Sequence, residues 1–211
     1  MINRRALVAW YVLADLASGA AAWTLFYLYR KVVLEPAKFG YSVPLGFDTN
    51  YFKGLVLIPL FWFGLYTVMG GYREIHRRYR TMELGQTLLV SFLGVVVIFF
   101  VLLLDDEVAN YTYYYRSFIA LFGLHFSLNF FLRFLLTSHT VRQVHHRRIG
   151  FNTVLVGGNE SALAIHAEIE GLRKSPGNRF VGFVNVNGGD QLLTTIGLPR
   201  LGKWHELRQV I

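Results

Sequence analysis

Four long apolar stretches fill most of the first two thirds of the chain and predict a membrane-embedded helical bundle. They run over about residues 6–28, 54–69, 84–104 and 117–136. An α-helix rises about 1.5 Å per residue, so about 20 apolar residues cross a hydrocarbon core of about 30 Å. The second stretch is shorter and contains Pro59, which predicts a kink or tilt, but its aromatic side chains still favour a transmembrane helix.

The charged residues between these stretches predict which side of the membrane each loop faces. Residues 72–80, after the second span, contain four arginines, and the residues after the fourth span are also basic. The loop between the third and fourth spans instead carries Asp105, Asp106 and Glu107. Because short cytoplasmic loops hold the excess of Lys and Arg, we expect both termini and the second loop to be cytoplasmic. The loop of residues 30–53 is then external.

The basic residues directly after the fourth span allow two interpretations. They are Arg142, His145, His146, Arg147 and Arg148. They could continue the helix along the membrane surface, with their cations near anionic headgroups. The favoured interpretation is a topology signal without a binding role. A metal site at His139, His145 and His146 is disfavoured because no carboxylates cluster with these histidines.

After this basic stretch the pattern changes to that of a soluble α/β unit. A short apolar strand is predicted over 153–156, and the paired glycines Gly157 and Gly158 then turn the chain into an amphipathic helix over 161–173. A Ser-Pro-Gly-Asn sequence ends this helix. The second strand, over 179–184, is apolar enough for a buried parallel sheet.

The residues that follow predict only part of a doubly wound sheet. A polar loop covers 185–190, residues 197–202 form a short extended piece, and another helix starts at Lys203. Such domains usually need about 100 residues or more, so we expect the chain to be a fragment that stops within an incomplete α/β domain. The predicted organisation has three parts: a four-helix transmembrane domain at 1–138, a basic cytoplasmic connector at 139–152, and the start of a degenerate Rossmann-like domain at 153–211.

Composition supports a membrane protein and excludes several kinds of site. Hydrophobic residues make up 54% of the 211 residues and charged residues only 16%, with a net charge of +8. The cations flank apolar spans, so they indicate membrane topology and we expect no nucleic-acid partner. The absence of cysteine excludes disulfides, thiolate metal ligands and thiol catalysis. No Ser–His–Asp order, catalytic carboxylate pair or P-loop is evident, so the sequence predicts no catalytic or metal-binding residue.

The glycine turn is a candidate nucleotide site that departs from the dinucleotide-binding fingerprint. In the pattern G-x-G-x-x-G, Gly157 takes the first position, Asn159 replaces the second glycine and Ala162 takes the third. An asparagine side chain would occupy the closest phosphate approach, and Asn185 stands where an acidic ribose ligand is expected. Gly157, Gly158 and Asn159 therefore remain candidate cofactor-binding residues, but a tight strand–helix turn in a degenerate nucleotide fold is favoured.

Polar residues inside the spans predict a contact between the first and fourth helices. His125, Asn129 and Arg133 are spaced i, i+4, i+8 and so share one face of the fourth span. Asp15 lies at a similar depth in the first span. We therefore expect Asp15 to meet Asn129 and Arg133 inside the bundle. The favoured role is helix–helix attachment without a catalytic part, and the alternative is a polar groove for a lipid phosphate.

Several short motifs occur along the chain in a characteristic order. An Asp in the first span is followed by a Gly-Tyr-Arg motif and a Glu after the second. An Arg-Ser pair then opens the fourth span, an Arg stands near its end, and a strand and glycine turn follow the basic exit. The residues are Asp15, Gly71-Tyr72-Arg73, Glu83, Arg116-Ser117, Arg133 and 154–158, with 180–184 and 197–202 after them. In this order the chain resembles the N-terminal membrane and Rossmann-like region of bacterial polyprenyl glycosylphosphotransferases.

The resemblance implies a multi-pass protein of the bacterial inner membrane with its soluble part in the cytoplasm. Members of that family transfer a sugar 1-phosphate from a nucleotide sugar to undecaprenyl phosphate, which begins exopolysaccharide or capsule synthesis. Their reaction belongs to a C-terminal domain with a metal-dependent acidic site, and no part of this sequence matches that domain. The chain would therefore be non-catalytic and without a cofactor of its own, with Mg²⁺ confined to the missing domain. Its expected partners are the bilayer, further copies of the chain, and, through the missing domain, undecaprenyl phosphate and the nucleotide sugar.

Two alternatives remain open. Membrane-bound nucleotide-sugar epimerases and dehydratases are similar over the same N-terminal region, but continue into a second domain with an intact glycine fingerprint. A non-enzymatic membrane scaffold is the other alternative. The coding sequence after Ile211 separates the three, because it would encode a membrane-dipping helix with an acidic site, a second nucleotide-binding domain, or a stop codon.

Overall fold

A computed structural model places most of the chain in two compact units, residues 2–139 and 140–211. Parts of three loops discussed above lie outside the residues described. They are Glu74, His76 and Arg77 of the arginine-rich loop, the acidic triplet 105–107, and 187–190 of the polar loop. The described residues are 4–41, 44–73, 75, 78–103, 111–186 and 191–210.

Four long helices coincide with the four apolar stretches. Each is long and apolar enough to cross a membrane, and many large apolar side chains on their outer surfaces, such as Leu57 and Ile119, are exposed, which is compatible with contact with lipid. The elements are α1 (Arg4–Tyr29), a π-helical turn (Arg30–Leu34), α2 (Glu35–Phe39), α3 (Thr49–Val68), α4 (Arg80–Ile98), a second π-helical turn (Phe99–Leu103) and α5 (Thr112–His145).

The helices extend beyond the apolar stretches that predicted them. The first turn of α3 is polar, and it begins where Asp48 Oδ1 accepts a hydrogen bond from the amide of Tyr51 at 2.8 Å. That bond holds the pKa of Asp48 below its usual range. At the other end of the unit α5 runs on through the basic residues to His145, so it has 34 residues. Hydropathy marks the part of a helix inside lipid, whereas capping and backbone hydrogen bonding decide where the helix ends.

Large aromatic side chains pack into glycine notches between the helices. A Cβ on Gly94 of α4 would lie 2.2 Å from the Trp62 ring of α3, and a Cβ on Gly54 of α3 would lie equally close to Trp23 of α1. Small residues of this kind let helix backbones approach closely within a membrane. The bundle core around these contacts consists of Phe26, Ile58, Trp62, Tyr66, Val90, Val95, Ile98 and Leu121.

The second unit is built on a small three-stranded parallel sheet in the order β1-β2-β3. Phe183 and Leu193 are fully buried in its core, together with Leu155, Ala162 and Leu198. Its elements are β1 (Phe151–Val156), α6 (Glu160–Gly171), β2 (Asn178–Asn185), α7 (Gln191–Thr195), β3 (Arg200–Lys203), a 3₁₀ turn (Trp204–Glu206) and α8 (Leu207–Val210).

Parts of this unit differ from the sequence prediction. The extended piece predicted at 197–202 becomes β3, which pairs with β2 through Phe183 and Arg200. The helix predicted from Lys203 is instead a 3₁₀ turn followed by the four residues of α8. The sequence prediction also missed α7, because five residues are too short for a helical periodicity to show. That helix is held in place by burial of Leu193 rather than by its own propensity.

Candidate functional site

Arg133 lies at the centre of a buried polar network in the helical unit. Its Nε donates to Oδ1 of Asp15 at 2.7 Å, and its Nη2 donates to Oδ2 of the same carboxylate at 2.8 Å. Its Nη1 donates to Oε1 of Glu83 at 2.7 Å. All three side chains are fully buried. One guanidinium therefore joins α1, α4 and α5 through charge-assisted hydrogen bonds, which are the strong class of hydrogen bond.

Amide and hydroxyl groups complete the coordination of Asp15. Asn129 Nδ2 donates to Asp15 Oδ1 at 2.9 Å, and the Tyr72 hydroxyl donates to Oδ2 at 2.6 Å. Asn129 also donates to Ser18 at 2.8 Å and accepts from the Tyr66 hydroxyl at 3.1 Å. Burial, together with the negative charge of Asp15, raises the pKa of Tyr72, so its hydroxyl stays protonated and acts as a donor.

Glu83 is satisfied from the opposite side of the network. Thr137 donates to its Oε2 at 3.2 Å and shares a hydrogen bond of 2.6 Å with the Tyr11 hydroxyl. Arg78 Nη1 lies 3.5 Å from the same oxygen, and its Nη2 donates to the carbonyl of Gly70 at 2.9 Å. Two carboxylates, Asp15 and Glu83, thus face two guanidinium groups, Arg133 and Arg78. The network has no net charge when all four groups are ionised, which is the condition for stable charge burial.

Tyrosine rings surround the guanidinium of Arg133. Its Cζ lies 4.0 Å from the ring centroid of Tyr66, 5.4 Å from that of Tyr11 and 5.7 Å from that of Tyr72. At these distances the ring faces attract a cation. The same three tyrosines contribute hydroxyl groups to the network. Each therefore packs its ring near the guanidinium and forms a hydrogen bond through its hydroxyl.

The predicted contact of Asp15 with Asn129 and Arg133 is present, but His125 does not join it. The His125 ring stacks on Trp62 with centroids 3.5 Å apart and planes 9° from parallel. Its two ring nitrogens have no hydrogen-bond partner among the described residues. The i, i+4 spacing does place His125 on the same helix face as Asn129. However, it lies one turn further from Asp15, where an aromatic side chain of α3 occupies the facing position.

The sequence prediction of this contact missed seven members of the network: Tyr11, Ser18, Tyr66, Tyr72, Arg78, Glu83 and Thr137. Glu83 offered a usable signal, because a carboxylate four residues into α4 and directly before an apolar run needs a partner. Tyr72 and Arg78 lie in the loop between α3 and α4, and a loop position carries no periodicity that would predict burial. Thr137 lies one turn beyond Arg133 on the same face of α5.

The network has no room for a phosphate group as it stands. Arg133 has no exposed surface, and its Nε, Nη1 and Nη2 each donate a hydrogen bond to a carboxylate oxygen. A phosphate would have to displace Asp15 or Glu83 before it could reach the guanidinium. The geometry therefore favours helix attachment over an open groove for lipid phosphate.

In the glycine turn of the second unit, the side chain of Asn159 caps the helix that follows. Gly157 has a φ of 128° and its amide donates to the carbonyl of Val184 at 2.9 Å. Asn159 caps α6, with Oδ1 accepting from the amide of Ala162 at 3.1 Å. A bound phosphate would use the same free amides at the helix start. The geometry therefore favours the tight strand–helix turn, with Asn185 buried at the end of β2 rather than presented to a ribose.

Neither metal ligation nor known relatives add a function to these two sites. Within the described ranges, no three His, Asp or Glu side chains lie close enough to hold a metal ion together. Comparisons of the chain with protein-family models, curated proteins and solved structures gave no match. The functional interpretation therefore depends on the geometry of the network and on the motifs that form it.

Proposed function

We propose that this chain is the non-catalytic, membrane-embedded N-terminal part of a bacterial sugar-phosphate transferase. The whole enzyme moves a sugar 1-phosphate from a nucleotide sugar to undecaprenyl phosphate and so begins exopolysaccharide or capsule synthesis. The soluble unit is the start of a Rossmann-like domain and, like both termini, lies on the cytoplasmic side of the inner membrane. Mg²⁺ and the nucleotide sugar act in a separate catalytic domain.

One observation carries this proposal. Asp15, Tyr72, Glu83 and Arg133 were motif residues of the resemblance, and they come from four separated parts of the chain. In the folded protein they contact one another directly or through Arg133, at 2.6–2.8 Å. Unrelated matches to weak motifs would fall at unconnected positions. The convergence of these four residues in one network supports treating the motifs that contain them as a single structural unit.

The role of this part follows from the closed geometry. A neutral, buried network of hydrogen bonds fixes the relative positions of α1, α4 and α5 and exposes no charged group of Asp15, Glu83 or Arg133 to a substrate. At the start of α6, the Asn159 side chain likewise uses a backbone amide that a nucleotide phosphate would need. The bundle therefore acts as a membrane platform, and the α/β unit acts as a spacer or regulatory domain for the transferase.

The proposal is tested by measuring lipid-linked product in membranes. Cells would express either residues 1–211 or the whole coding frame that contains them, and membranes would be incubated with Mg²⁺, undecaprenyl phosphate and radiolabelled nucleotide sugars. We expect butanol-extractable sugar-phospholipid only from the whole frame. Within that frame, Arg133→Leu should lower the amount of folded protein, whereas the rate per folded molecule should stay close to that of the parent.

Two outcomes would overturn the proposal. Turnover by residues 1–211 alone would place the active site within the chain. Absence of product from the whole frame with every nucleotide sugar supplied would favour a non-enzymatic scaffold, which is the second candidate. The burial of Arg133, with each of its three nitrogens bonded to a carboxylate, suits a scaffold equally well.

A further inference from the structure

Exposed cations from two distant segments meet in the second unit, at the end of α5. One segment comprises the last turn of α5 and the residues after it. The other begins in the loop that follows α6 and reaches the start of β2. The exposed members, which we call the basic patch, are Arg142, His146, Arg148, Arg173, Lys174 and Arg179.

Specific contacts hold the two segments together. The amide of Ser175 donates to the carbonyl of His145 at 3.3 Å, which fixes the loop against the helix end. A Cβ on Gly177 would lie 2.9 Å from both Val144 and Phe151, so only glycine allows this approach. The patch is therefore a defined surface rather than two independent basic tails.

The backbone conformation of Arg147 fixes the direction in which the chain leaves α5. It is the one non-glycine residue with positive φ in the described part of the chain, at 57°. The amides of Arg147 and Arg148 donate to the carbonyls of Val144 and Gln143 at 2.9 and 3.0 Å, as in a Schellman motif. The Arg147 side chain binds the carboxylate and carbonyl of Glu170. Such a strained residue persists only where its surroundings hold it, so this turn presents Arg148 in one direction.

Arg142 of the basic patch follows closely on the apolar part of α5. The apolar part of α5 ends near Leu136, and Arg142 follows six residues later, which corresponds to about 9 Å along the helix axis. The headgroup region adds roughly 5–8 Å to each side of the hydrocarbon core. Arg142 is therefore near headgroup level, and the field of an anionic surface extends about 8–10 Å beyond it, which is the Debye length.

We propose that the basic patch docks on anionic phospholipid headgroups at the membrane surface. Cations on both segments complement the phosphodiester charges, and clusters of Lys and Arg next to a membrane span attract anionic lipid. The occupant is a lipid surface rather than a soluble ligand, because the patch begins in the last turn of α5, a helix apolar enough to span a membrane. Docking would hold the α/β unit at a set distance from the membrane. This inference does not depend on the transferase function.

The absence of cysteine makes a direct test possible. Pro176 is exposed within the second basic segment, so Pro176→Cys provides a single site for a nitroxide spin label. The full chain would be reconstituted in phosphatidylcholine vesicles that contain a headgroup-anchored nickel chelate and be titrated with phosphatidylglycerol. We expect the spin signal to broaden as phosphatidylglycerol increases and to recover in high salt, since screening weakens surface electrostatics.

Matched variants decide whether the patch causes this response. Arg148→Gln with Lys174→Gln removes one cation from each segment. At about 1 kcal/mol per cation, the phosphatidylglycerol content needed for half-maximal broadening should rise about 30-fold, or the response should disappear. Lys203→Gln with Arg208→Gln removes the same charge from exposed positions outside the patch and should leave the response unchanged.

Three results would overturn the proposal. They are broadening that does not depend on phosphatidylglycerol, equal losses in the two double variants, and a label that responds to a single-stranded RNA oligonucleotide but not to lipid. The last result would identify the patch as a nucleic-acid surface. All variants should elute as the parent does in size-exclusion chromatography, because only exposed side chains change.

Discussion

At the scale of single residues, Asp15 shows what burying a charge in this bundle requires. Its carboxylate accepts four hydrogen bonds, two from Arg133 and one each from Asn129 and Tyr72. Desolvation of an ion costs several kcal/mol, and only a full set of charged and polar partners offsets it. The ion pair therefore adds less to net stability than it does to specificity, because any other packing of these helices would leave a charge alone.

Removal of Arg133 should be costly for the same reason. Arg133→Leu leaves Asp15 and Glu83 buried, with only Arg78 as a remaining cation, and we expect a loss of about 3–5 kcal/mol in the free energy of unfolding. Arg116→Leu is the control, since Arg116 is exposed on the same helix and should change stability by about 0.5 kcal/mol or less. Reversible unfolding in mixed detergent and SDS micelles measures both values. Similar losses in the two variants would contradict the assignment of Arg133 to the network.

The backbone at Arg147 predicts an unusual ranking of substitutions. Arg147→Ala loses the side-chain contact with Glu170 and keeps the unfavourable left-handed conformation, whereas Arg147→Gly loses the contact but relieves the conformation. The glycine variant should therefore be more stable than the alanine variant by about 1 kcal/mol. Hydrogen exchange of the Arg148 amide, which bonds to Gln143, reports this local opening energy. An alanine variant as stable as the glycine variant would show that the turn relaxes out of this conformation.

At the scale of helices, the glycine notches predict how closely α3 and α4 must pack. Gly94→Ala would place a methyl group 2.2 Å from Trp62 and force the two helices apart. We expect a loss of about 1–3 kcal/mol, which is typical of overpacking. Gly85→Ala on the same helix meets nothing within 4 Å, and should gain up to about 1 kcal/mol from helix propensity. The two variants can be compared by SDS-induced unfolding, and a neutral Gly94→Ala would argue against this packing.

The helices and strands differ in how far the sequence predicted them. Apolar runs indicated all four long helices, because burial in lipid needs a continuous apolar surface that the sequence displays directly. The contact of Asp15 with Arg133 was predictable for a related reason, since an isolated charge in a span has few tolerable environments. Tyr72 joins the network from a loop, and α7 depends on the tertiary contacts of Leu193. Such contacts leave no local pattern in the sequence.

At the scale of the whole molecule, the arginine distribution predicts a sidedness that cysteine labelling can check. Gly46→Cys lies in the loop before α3, and Ser161→Cys lies in α6, both at exposed positions of a chain without native cysteine. On intact spheroplasts, a membrane-impermeant maleimide should label Gly46→Cys at once and Ser161→Cys only after permeabilisation. The cysteine-free parent provides the background. The reverse pattern would place both termini outside the cell.

The buried network also has a consequence for biogenesis. Spans enter the membrane in chain order, so Asp15 arrives with the first, Glu83 with the third and Arg133 with the last. A lone charge in the middle of a span costs roughly 2.5–3.5 kcal/mol to insert. Among the contacts of the described residues, the Arg133 and Asn129 partners of Asp15 and the Arg133 partner of Glu83 all arrive with α5. A chain truncated before Thr112 should therefore be degraded rapidly by membrane proteases, and Asp15→Asn with Glu83→Gln should slow that loss in a pulse-chase experiment. On this expectation, insertion of the last helix pairs the buried acids and ends the exposure of the bundle to those proteases.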